Sequence, residues 1–228
     1  MELQDAPATY LFKLWPWIET NKIRIISGAG MILAGVGLFS FYSWQRQQKE
    51  ITAGNEFTQI MVSDPRTMTS VQQASLYLKL ARDNPNTSAG QRALLQSATT
   101  LFDAGQYADA QNQFQQFIQQ HPDNALAGQA ALGIAASLDA QGKTDLASAA
   151  YQRALNYSDP IAATYAKYSL AQIDERQGKL ADAMSLYEDV ARSNPNNALA
   201  SEAGMHAMEL RTKQPRPAPT AAPLIPKP

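Results

Sequence analysis

The chain of 228 residues has no cysteine, so it can form no disulfide bond, thiol nucleophile or zinc–thiolate site. It also lacks an excess of positive charge, since its formal net charge is −1. Proteins that bind nucleic acids need a basic face, and we therefore predict no nucleic-acid partner. β-Branched residues are scarce outside the first third, whereas Ala, Gln and Leu are abundant. This composition favours an all-α protein.

Clusters of chemically reactive residues are also absent from the sequence. We find no nucleophile–base pattern, no phosphate-binding loop and no metal-ligand spacing; His121 and His206 stand apart from each other. Asp174 and Glu175 are adjacent on a predicted helix, where adjacent side chains point in different directions, and we interpret them as solvated surface. We predict no catalytic residue, no cofactor, no metal and no enzymatic activity.

A long uncharged run lies near the N-terminus. Residues 25–43 comprise 19 residues without a charge. As a helix, this run would extend about 28 Å, close to the hydrocarbon thickness of a bilayer. Trp15 and Trp17 precede it, and Tyr42 and Trp44 lie at its end, as is typical of a membrane interface. We predict a transmembrane helix over residues 25–44, in contact with the lipid bilayer.

A cleaved signal peptide is the alternative interpretation of this run. Its apolar stretch would be shorter, about 7–15 residues, and would be followed by small residues at a cleavage site. Phe39 and Phe41 occupy that region instead, so we favour an uncleaved anchor. Residues 1–24 are predicted to be an interfacial segment, in which Pro16 breaks an aromatic-rich stretch.

The basic residues around the span suggest its orientation. Three precede it and two follow it closely: Lys13, Lys22 and Arg24, then Arg46 and Lys49. This asymmetry favours a cytoplasmic N-terminus and a translocated C-terminal domain. In a bacterium, the chain would be a single-pass inner-membrane protein with a periplasmic C-terminal domain.

One face of the predicted span carries small residues. They are spaced by three, four and three positions, which places them on the same side of a helix: Ser27, Gly30, Ala34 and Gly37. Small residues allow another helix to approach closely in lipid. This predicts a packing face for a membrane partner helix, although glycine is also common in transmembrane helices in general.

The rest of the chain repeats one residue pattern. Segments that begin at Gly105, Gly142 and Gly178 are offset by 37 and then 36 residues. Five residues after each glycine is an alanine, nine after it an aromatic residue, and a proline follows after 17 or 18. A period in this range is typical of stacked helix pairs, and we predict a helical-hairpin solenoid over residues 45–211.

The helices of this solenoid can be placed from caps and turns. The repeat glycines supply the left-handed residue that ends a helix, and Asn124 and Asp159–Pro160 supply N-cap chemistry. A closing helix with apolar Met205, Met208 and Leu210 would cap the stack. The predicted helices cover 69–82, 88–103, 106–120, 124–140, 143–156, 160–176, 179–193 and 197–212.

Residues 212–228 hold six prolines and are predicted to be a disordered, extended tail. Two interpretations remain open for it. The tail is either a spacer without further constraint or a docking peptide recognised through its prolines.

The repeat positions resemble the tetratricopeptide repeat over residues 69–211. The small residue expected seven positions before each glycine is present as Ala98, Ala135 and Ala171. The large aromatic residue expected eleven positions before it is replaced, in turn, by Leu94, Ala131 and Lys167. The period of 36–37 residues also departs from the usual 34. The chain is therefore similar to a divergent member of this family.

The resemblance implies a groove lined by the first helix of each pair. Transferring the family register places seven residues there: Arg92, Leu95, Thr99, Tyr165, Tyr168, Gln172 and Arg176. Two tyrosines beside a guanidinium would suit an extended peptide. The family's carboxylate clamp is absent, because Leu95, Leu132 and Ala136 stand among its positions. Alternatively, Tyr165 and Tyr168 pack against the neighbouring repeat.

The overall layout resembles the family of ancillary subunits of the bacterial Sec translocon and, more loosely, the repeat domain of the cell-division coordinator. The first resemblance implies an adaptor that contacts translocon subunits, periplasmic chaperones or emerging chains. Two alternatives remain: a scaffold for cell-envelope assembly or division, and a structural accessory subunit of a large membrane complex. A homo-oligomer is also compatible with the small-residue face.

Overall fold

The computed structural model describes residues 6–63, 68–193 and 197–213, with side chains from Pro16 onward except those of Ile18 and Ile25. Its two units are Met1–Asn55 and Glu56–Pro228. Proline disfavours a helical conformation in the residue before it, so the sequence also predicts a helix stop at Asp64–Pro65. This stop, the repeat proline Pro195 and most of the proline-rich tail lie outside the described residues.

Within the described residues, regular structure consists of nine α-helices and no strand, which confirms the predicted all-α class. The helices are α1 (Ala6–Val62), α2 (Ser70–Asp83), α3 (Ser88–Asp103), α4 (Tyr107–Gln120), α5 (Ala127–Ala140), α6 (Thr144–Ala154), α7 (Pro160–Arg176), α8 (Leu180–Ser193) and α9 (Ala198–Lys213).

The first unit is built from α1, which continues through Pro16 where the sequence predicted a break. A proline inside a helix removes one backbone donor and one hydrogen bond, a loss that can bend a helix without ending it. The hydroxyl of Thr20 donates to the carbonyl oxygen of Pro16 at 2.8 Å, so this carbonyl gains a side-chain partner. The predicted boundaries at 24/25 and 44/45 therefore fall inside one helix.

α1 is long and apolar enough to cross a membrane, and the described residues contain one such helix. Its large apolar side chains are exposed throughout the uncharged run, including Met31, Leu33, Leu38 and Phe39. By length and composition, α1 is therefore a candidate membrane span.

The second unit is a stack of antiparallel helix pairs. Each helix from α2 to α9 packs against the next one along the chain, and α3, α5 and α7 also contact one another in that order. The first helices of the pairs thus form one layer, and α4, α6 and α8 form the other. This arrangement is the predicted helical-hairpin solenoid.

The turns within the pairs follow the prediction closely. The backbone φ angles of Gly105, Gly142 and Gly178 are +76°, +74° and +76°. At the first turn, the N–H of Gly105 donates to the carbonyl of Phe102, and the N–H of Gln106 donates to that of Leu101. This pair of bonds satisfies the last carbonyls of α3 and requires a left-handed residue, which glycine provides without steric cost.

The repeated alanine and aromatic positions form the core of the stack. The alanines five residues after the glycines and the aromatic residues nine after them are all buried: Ala110, Ala147, Ala183, Phe114, Tyr151 and Tyr187. The alanines let the two helices of a pair approach closely, and the rings fill the space beside them. In α5 this packing is close enough that Gly133 faces the ring of Phe114.

Side-chain N-caps mark the starts of α2, α3 and α7, and the start of α5 departs from the prediction. Asp159 Oδ1 accepts hydrogen bonds from the backbone N–H groups of Ile161 and Ala162, as expected for an N-cap before Pro160. The prediction that α5 begins at residue 124 was wrong, since it begins at Ala127. Asn124 Oδ1 accepts from the N–H of Leu126 and therefore closes a turn that precedes the helix.

The closing helix α9 packs in a register that the sequence did not predict. Its buried residues are Ala200, Ala203, Ala207 and Leu210, whereas Met205 and Met208 are exposed. The predicted apolar set therefore divides between two faces, because small alanines are what fit closely against α7 and α8.

Candidate peptide-binding groove

The predicted groove residues lie on two first helices with a third between them. Arg92, Leu95 and Thr99 are on α3, and the other four are on α7. α5 contacts both helices and contributes small or medium side chains, of which Leu132 and Ala136 are partly exposed. A surface of small and medium-sized apolar side chains on α5 thus separates the residues of α3 from those of α7.

Exposure divides the seven residues into three groups. Arg92, Tyr165 and Arg176 are exposed, and Thr99 and Gln172 are partly exposed. Leu95 and Tyr168 are buried. Only the first two groups present surface to a ligand, so the structure does not bring all seven residues together at one site.

Tyr168 is a packing residue of the last repeat. Its side chain is 7% exposed and lies in a cluster with residues of α8 and α9. Its hydroxyl donates to Glu202 Oε1 at 2.7 Å, and its ring meets that of Tyr187 edge to face at 5.5 Å. Burial, followed by the bond to the Glu202 carboxylate, raises the pKa of Tyr168 to about 12. Tyr168 therefore packs against the neighbouring helices, as the alternative interpretation has it.

Arg176 is exposed but already paired. Its guanidinium Nη2 donates to Asp139 Oδ1 of α5 at 2.9 Å. Arg92, by contrast, has no ion-pair partner among the described residues and stays available to an acidic group. The available cation of the groove is therefore on α3.

A second polar cluster joins α7, α8 and α9, and sequence reasoning missed it. The hydroxyl of Tyr187 donates to Glu175 Oε2 at 3.0 Å, and His206 Nδ1 lies 3.8 Å from the same oxygen. The imidazole of His206 stacks on the ring of Tyr187. Burial, followed by the bond to Glu175, raises the pKa of Tyr187. The cluster holds the last helix pair and α9 together.

The interpretation of Asp174 and Glu175 as solvated surface was therefore wrong. Both side chains are partly buried: Asp174 pairs with Lys179 at 3.6 Å, and Glu175 accepts from Tyr187. Adjacent carboxylates do point in different directions, but the neighbouring helices reach both of them. One signal in the sequence could have revealed such contacts between neighbouring helices. Polar pairs about one period apart meet across successive first helices, as Asp139–Arg176 and Tyr168–Glu202 do at separations of 37 and 34 residues.

The predicted small-residue face lies along one side of α1. Ser27, Gly30, Ala34 and Gly37 are exposed, and a Cβ added at Gly30 or Gly37 would meet no atom within 4 Å. Among the described residues, no three or more His, Asp or Glu side chains come together as a metal site. The ring of His121 meets that of Phe117 edge to face, and the ring of His206 stacks on that of Tyr187, so both histidines have structural surroundings.

These features define a class: an all-α scaffold of stacked helix pairs, of the kind that typically binds proteins and performs no catalysis. A family model described as a tetratricopeptide repeat-like domain matches residues 16–155, and one described as a tetratricopeptide repeat matches residues 132–198. The chain belongs to the tetratricopeptide repeat-like domain family, whose model covers more than half of it. Comparison with curated proteins gives no match.

The chain is similar to several solved structures. A MamA RS-1 ArsTM double mutant is 16% identical, with a TM-score of 0.50 over 72% of this chain and 96% of its own. A MamA protein is 18% identical, with a TM-score of 0.48 over 73% and 94% of the two chains. A chain of a T3SS complex from Aeromonas hydrophila is 20% identical, with a TM-score of 0.48 over 58% and 88%. At 16% identity, the similarity to the first of these structures concerns the fold alone.

Proposed function

We propose that this protein is a membrane-anchored adaptor whose periplasmic repeat domain binds other proteins at the protein translocation machinery, including periplasmic chaperones. The observation that carries the proposal is the exposed apolar surface of α1 in the same chain as a repeat scaffold. An uncharged helical run of 19 residues is unfavourable in water and matches the thickness of a bilayer. The exposed rings of Tyr42 and Trp44 lie at its end, where a membrane interface would be.

The small-residue face of α1 supports a protein partner inside the membrane. Glycine and alanine at successive turns leave the backbone accessible, so a second helix can pack closely and gain van der Waals contact. The opposite face carries large side chains, including Ile32 and Phe39. An adaptor held by this face would keep its repeat domain at high local concentration near a translocation channel.

Photo-crosslinking in native membranes tests this arrangement. A photoreactive residue at Ala34 should form adducts with channel subunits, and the same residue at Ile32 on the opposite face is the matched control. Adducts with division or cell-wall proteins would favour the envelope-scaffold alternative. Self-dimers alone, or equal adducts from both positions, would contradict a role at the channel.

The groove between α3 and α7 supports the binding of an extended peptide. The ring of Tyr165 is 45% exposed, and the guanidinium of Arg92 has no acidic partner in the described part of the chain. An aromatic ring suits an apolar side chain, and a guanidinium suits a carboxylate. Leu132 and Ala136 of α5, which contacts both helices, are partly exposed between them.

Two truncations separate this site from the core. Tyr165→Ala and Arg92→Ala should each weaken the crosslinking of a partner to the repeat domain about tenfold, because one exposed anchor contributes roughly 1–2 kcal/mol. Leu146→Ala removes another exposed side chain, from α6, and is the control. Unchanged capture by both groove variants, or equal loss in the control, would contradict the groove.

A further inference from the structure

The outward face of α9 carries an exposed apolar strip. Met205 and Met208 are 65% and 69% exposed, and their spacing of three places them side by side on the helix. They face away from Ala203 and Ala207, which are buried against the preceding pair. We refer to Met205 and Met208 as the methionine strip.

The repeat register shows that the methionine strip occupies core positions. Tyr168 and Ala171, 37 residues earlier in α7, are 7% and 0% exposed. The same shift relates other buried pairs, Ala166 with Ala203 and Leu170 with Ala207. In α7 these positions are covered by α8 and α9. The methionine strip is thus where the solenoid would place its next helix pair.

Residues 214–228 cannot supply another helix pair. The position 37 residues after Gly178 is Pro215. Gly178 turns with a φ of +76°, whereas proline fixes φ near −65°. Five more prolines follow, at 217, 219, 223, 226 and 228, so the segment is incompatible with a helix. Any cover that residues 214–228 provide must therefore be extended.

We propose that residues 214–228 dock in extended form on the outward face of α9, where Leu224 and Ile225 cover the methionine strip. The helix from Lys213 back to Met205 spans about 12 Å. Residues 214–224, extended, can span roughly 34 Å, so the segment reaches the strip without strain. Its direct attachment to α9 gives it a millimolar effective concentration there.

Charge favours this occupant over a second copy of the chain. Glu202 and Glu209 lie along one edge of the methionine strip and are exposed. Glu209 pairs with Lys213 at 2.7 Å, and Glu202 accepts from the hydroxyl of Tyr168. Residues 214–228 contain Arg216 and Lys227 and no acidic residue, so the segment brings cations to an edge where Glu202 has no ion-pair partner among the described residues. Two copies of α9 packed antiparallel about a twofold axis would instead set the same acidic edges beside each other.

Engineered cysteine pairs test the docking, because the chain has no native thiol. The full chain carrying Met205→Cys and Leu224→Cys is oxidised at low micromolar concentration in mild detergent, and disulfides are identified by mass spectrometry. The control pair is Leu146→Cys with Leu224→Cys, at an exposed position of α6. We expect an intramolecular disulfide at 205–224 that forms about tenfold faster than at 146–224. Equal rates, or covalent dimers alone, would overturn the proposal.

One further variant separates docking from mere proximity. Ile225→Asp, added to the 205–224 pair, keeps the tether length but places a charge in the apolar contact. We expect the rate of disulfide formation to fall about tenfold, because the buried aspartate loses its hydration. An unchanged rate would mean that the segment only passes near α9, and would overturn the docked state.

Discussion

The imidazole of His206 lies flat against the ring of Tyr187, with 4.9 Å between the ring centroids and 13° between the ring planes. This stack joins α9 to α8, and the hydroxyl of Tyr187 joins α8 to Glu175 of α7. Three helices therefore share one aromatic and polar cluster. A helix at the end of a solenoid has a neighbour on one side only, so such contacts decide whether it stays docked.

Tyr168 should behave as a core residue of this cluster. Tyr168→Ala removes a buried ring and should lower the free energy of unfolding by about 3 kcal/mol or more, whereas Tyr168→Phe should lower it by about 1 kcal/mol. Tyr165→Ala, on the exposed side of the same helix, should change it by less than about 0.5 kcal/mol. Urea unfolding followed by circular dichroism measures all three. Equal effects of the two alanine variants would contradict the assignment of Tyr168 to the core.

Alkaline pH should loosen the same end of the solenoid. Burial and the carboxylates of Glu202 and Glu175 raise the pKa of Tyr168 to about 12 and that of Tyr187 further above its ordinary value. In the unfolded chain a tyrosine titrates near a pKa of about 10. Above about pH 10, the unfolded chain therefore loses protons that the folded chain keeps, and stability falls as the pH rises towards 12.

Thermal unfolding between pH 9 and pH 11.5 measures this loss. The melting temperature should fall with pH, and Tyr187→Phe should reduce the slope, because phenylalanine has no proton to lose. Part of the pH dependence should remain in this variant, since burial also raises the pKa of Tyr77 and Tyr151. Tyr165→Phe is the matched control at an exposed position. A slope that is the same in both variants would argue against the role of Tyr187.

The periodic part of the fold could be predicted from the sequence because each repeated residue has one physical task. Gly142 must turn with a positive φ, Ala147 must let two helices meet, and Tyr151 must fill the space beside them. These tasks recur at a fixed spacing, so the pattern is visible without any tertiary information. The helix bounds from α2 to α9 consequently lie close to those predicted.

The candidate site could be predicted less well, because it depends on contacts between repeats. Tyr165 and Tyr168 are the same residue type on the same helix. Tyr168 is buried because α9 docks against it, whereas Tyr165 stays exposed. In α9 itself, alanines occupy the buried face, and Met205 and Met208 are exposed. A hydrophobicity pattern predicts the opposite, because methionine is the more hydrophobic residue. The path of α1 through Pro16 is a similar case, since the cost of one proline is small beside the hydrogen bonds of a long helix.

Close packing at the start of α3 should make Gly90 intolerant of any side chain. A Cβ at this position would lie 1.9 Å from the backbone carbonyl oxygen of Asn84, which cannot move without shifting the loop before α3. Gly90→Ala should therefore lower the free energy of unfolding by about 3 kcal/mol. Gly204→Ala in α9 is the matched control, because its nearest contact would be Ala191 Cβ at 3.8 Å.

Gly204→Ala should instead stabilise the chain by about 0.5–1 kcal/mol, since alanine loses less backbone entropy in a helix. Urea midpoints of the two variants measure both effects. Opposite signs would support the packing at Gly90, and a stable Gly90→Ala variant would contradict the approach of Asn84 to α3.

Orientation in the membrane can be tested with single cysteines, since none is native. Ser185→Cys lies at an exposed position of α8, and we expect a membrane-impermeant maleimide to label it in intact spheroplasts. Thr9→Cys, before the apolar run, should be labelled only after lysis, because the bilayer would separate the two positions. The physical reason is the excess of Lys13, Lys22 and Arg24 over the basic residues that follow the run, which favours retention of the N-terminal side in the cytoplasm. The reverse labelling pattern would place the repeat domain in the cytoplasm and would exclude binding to periplasmic chaperones.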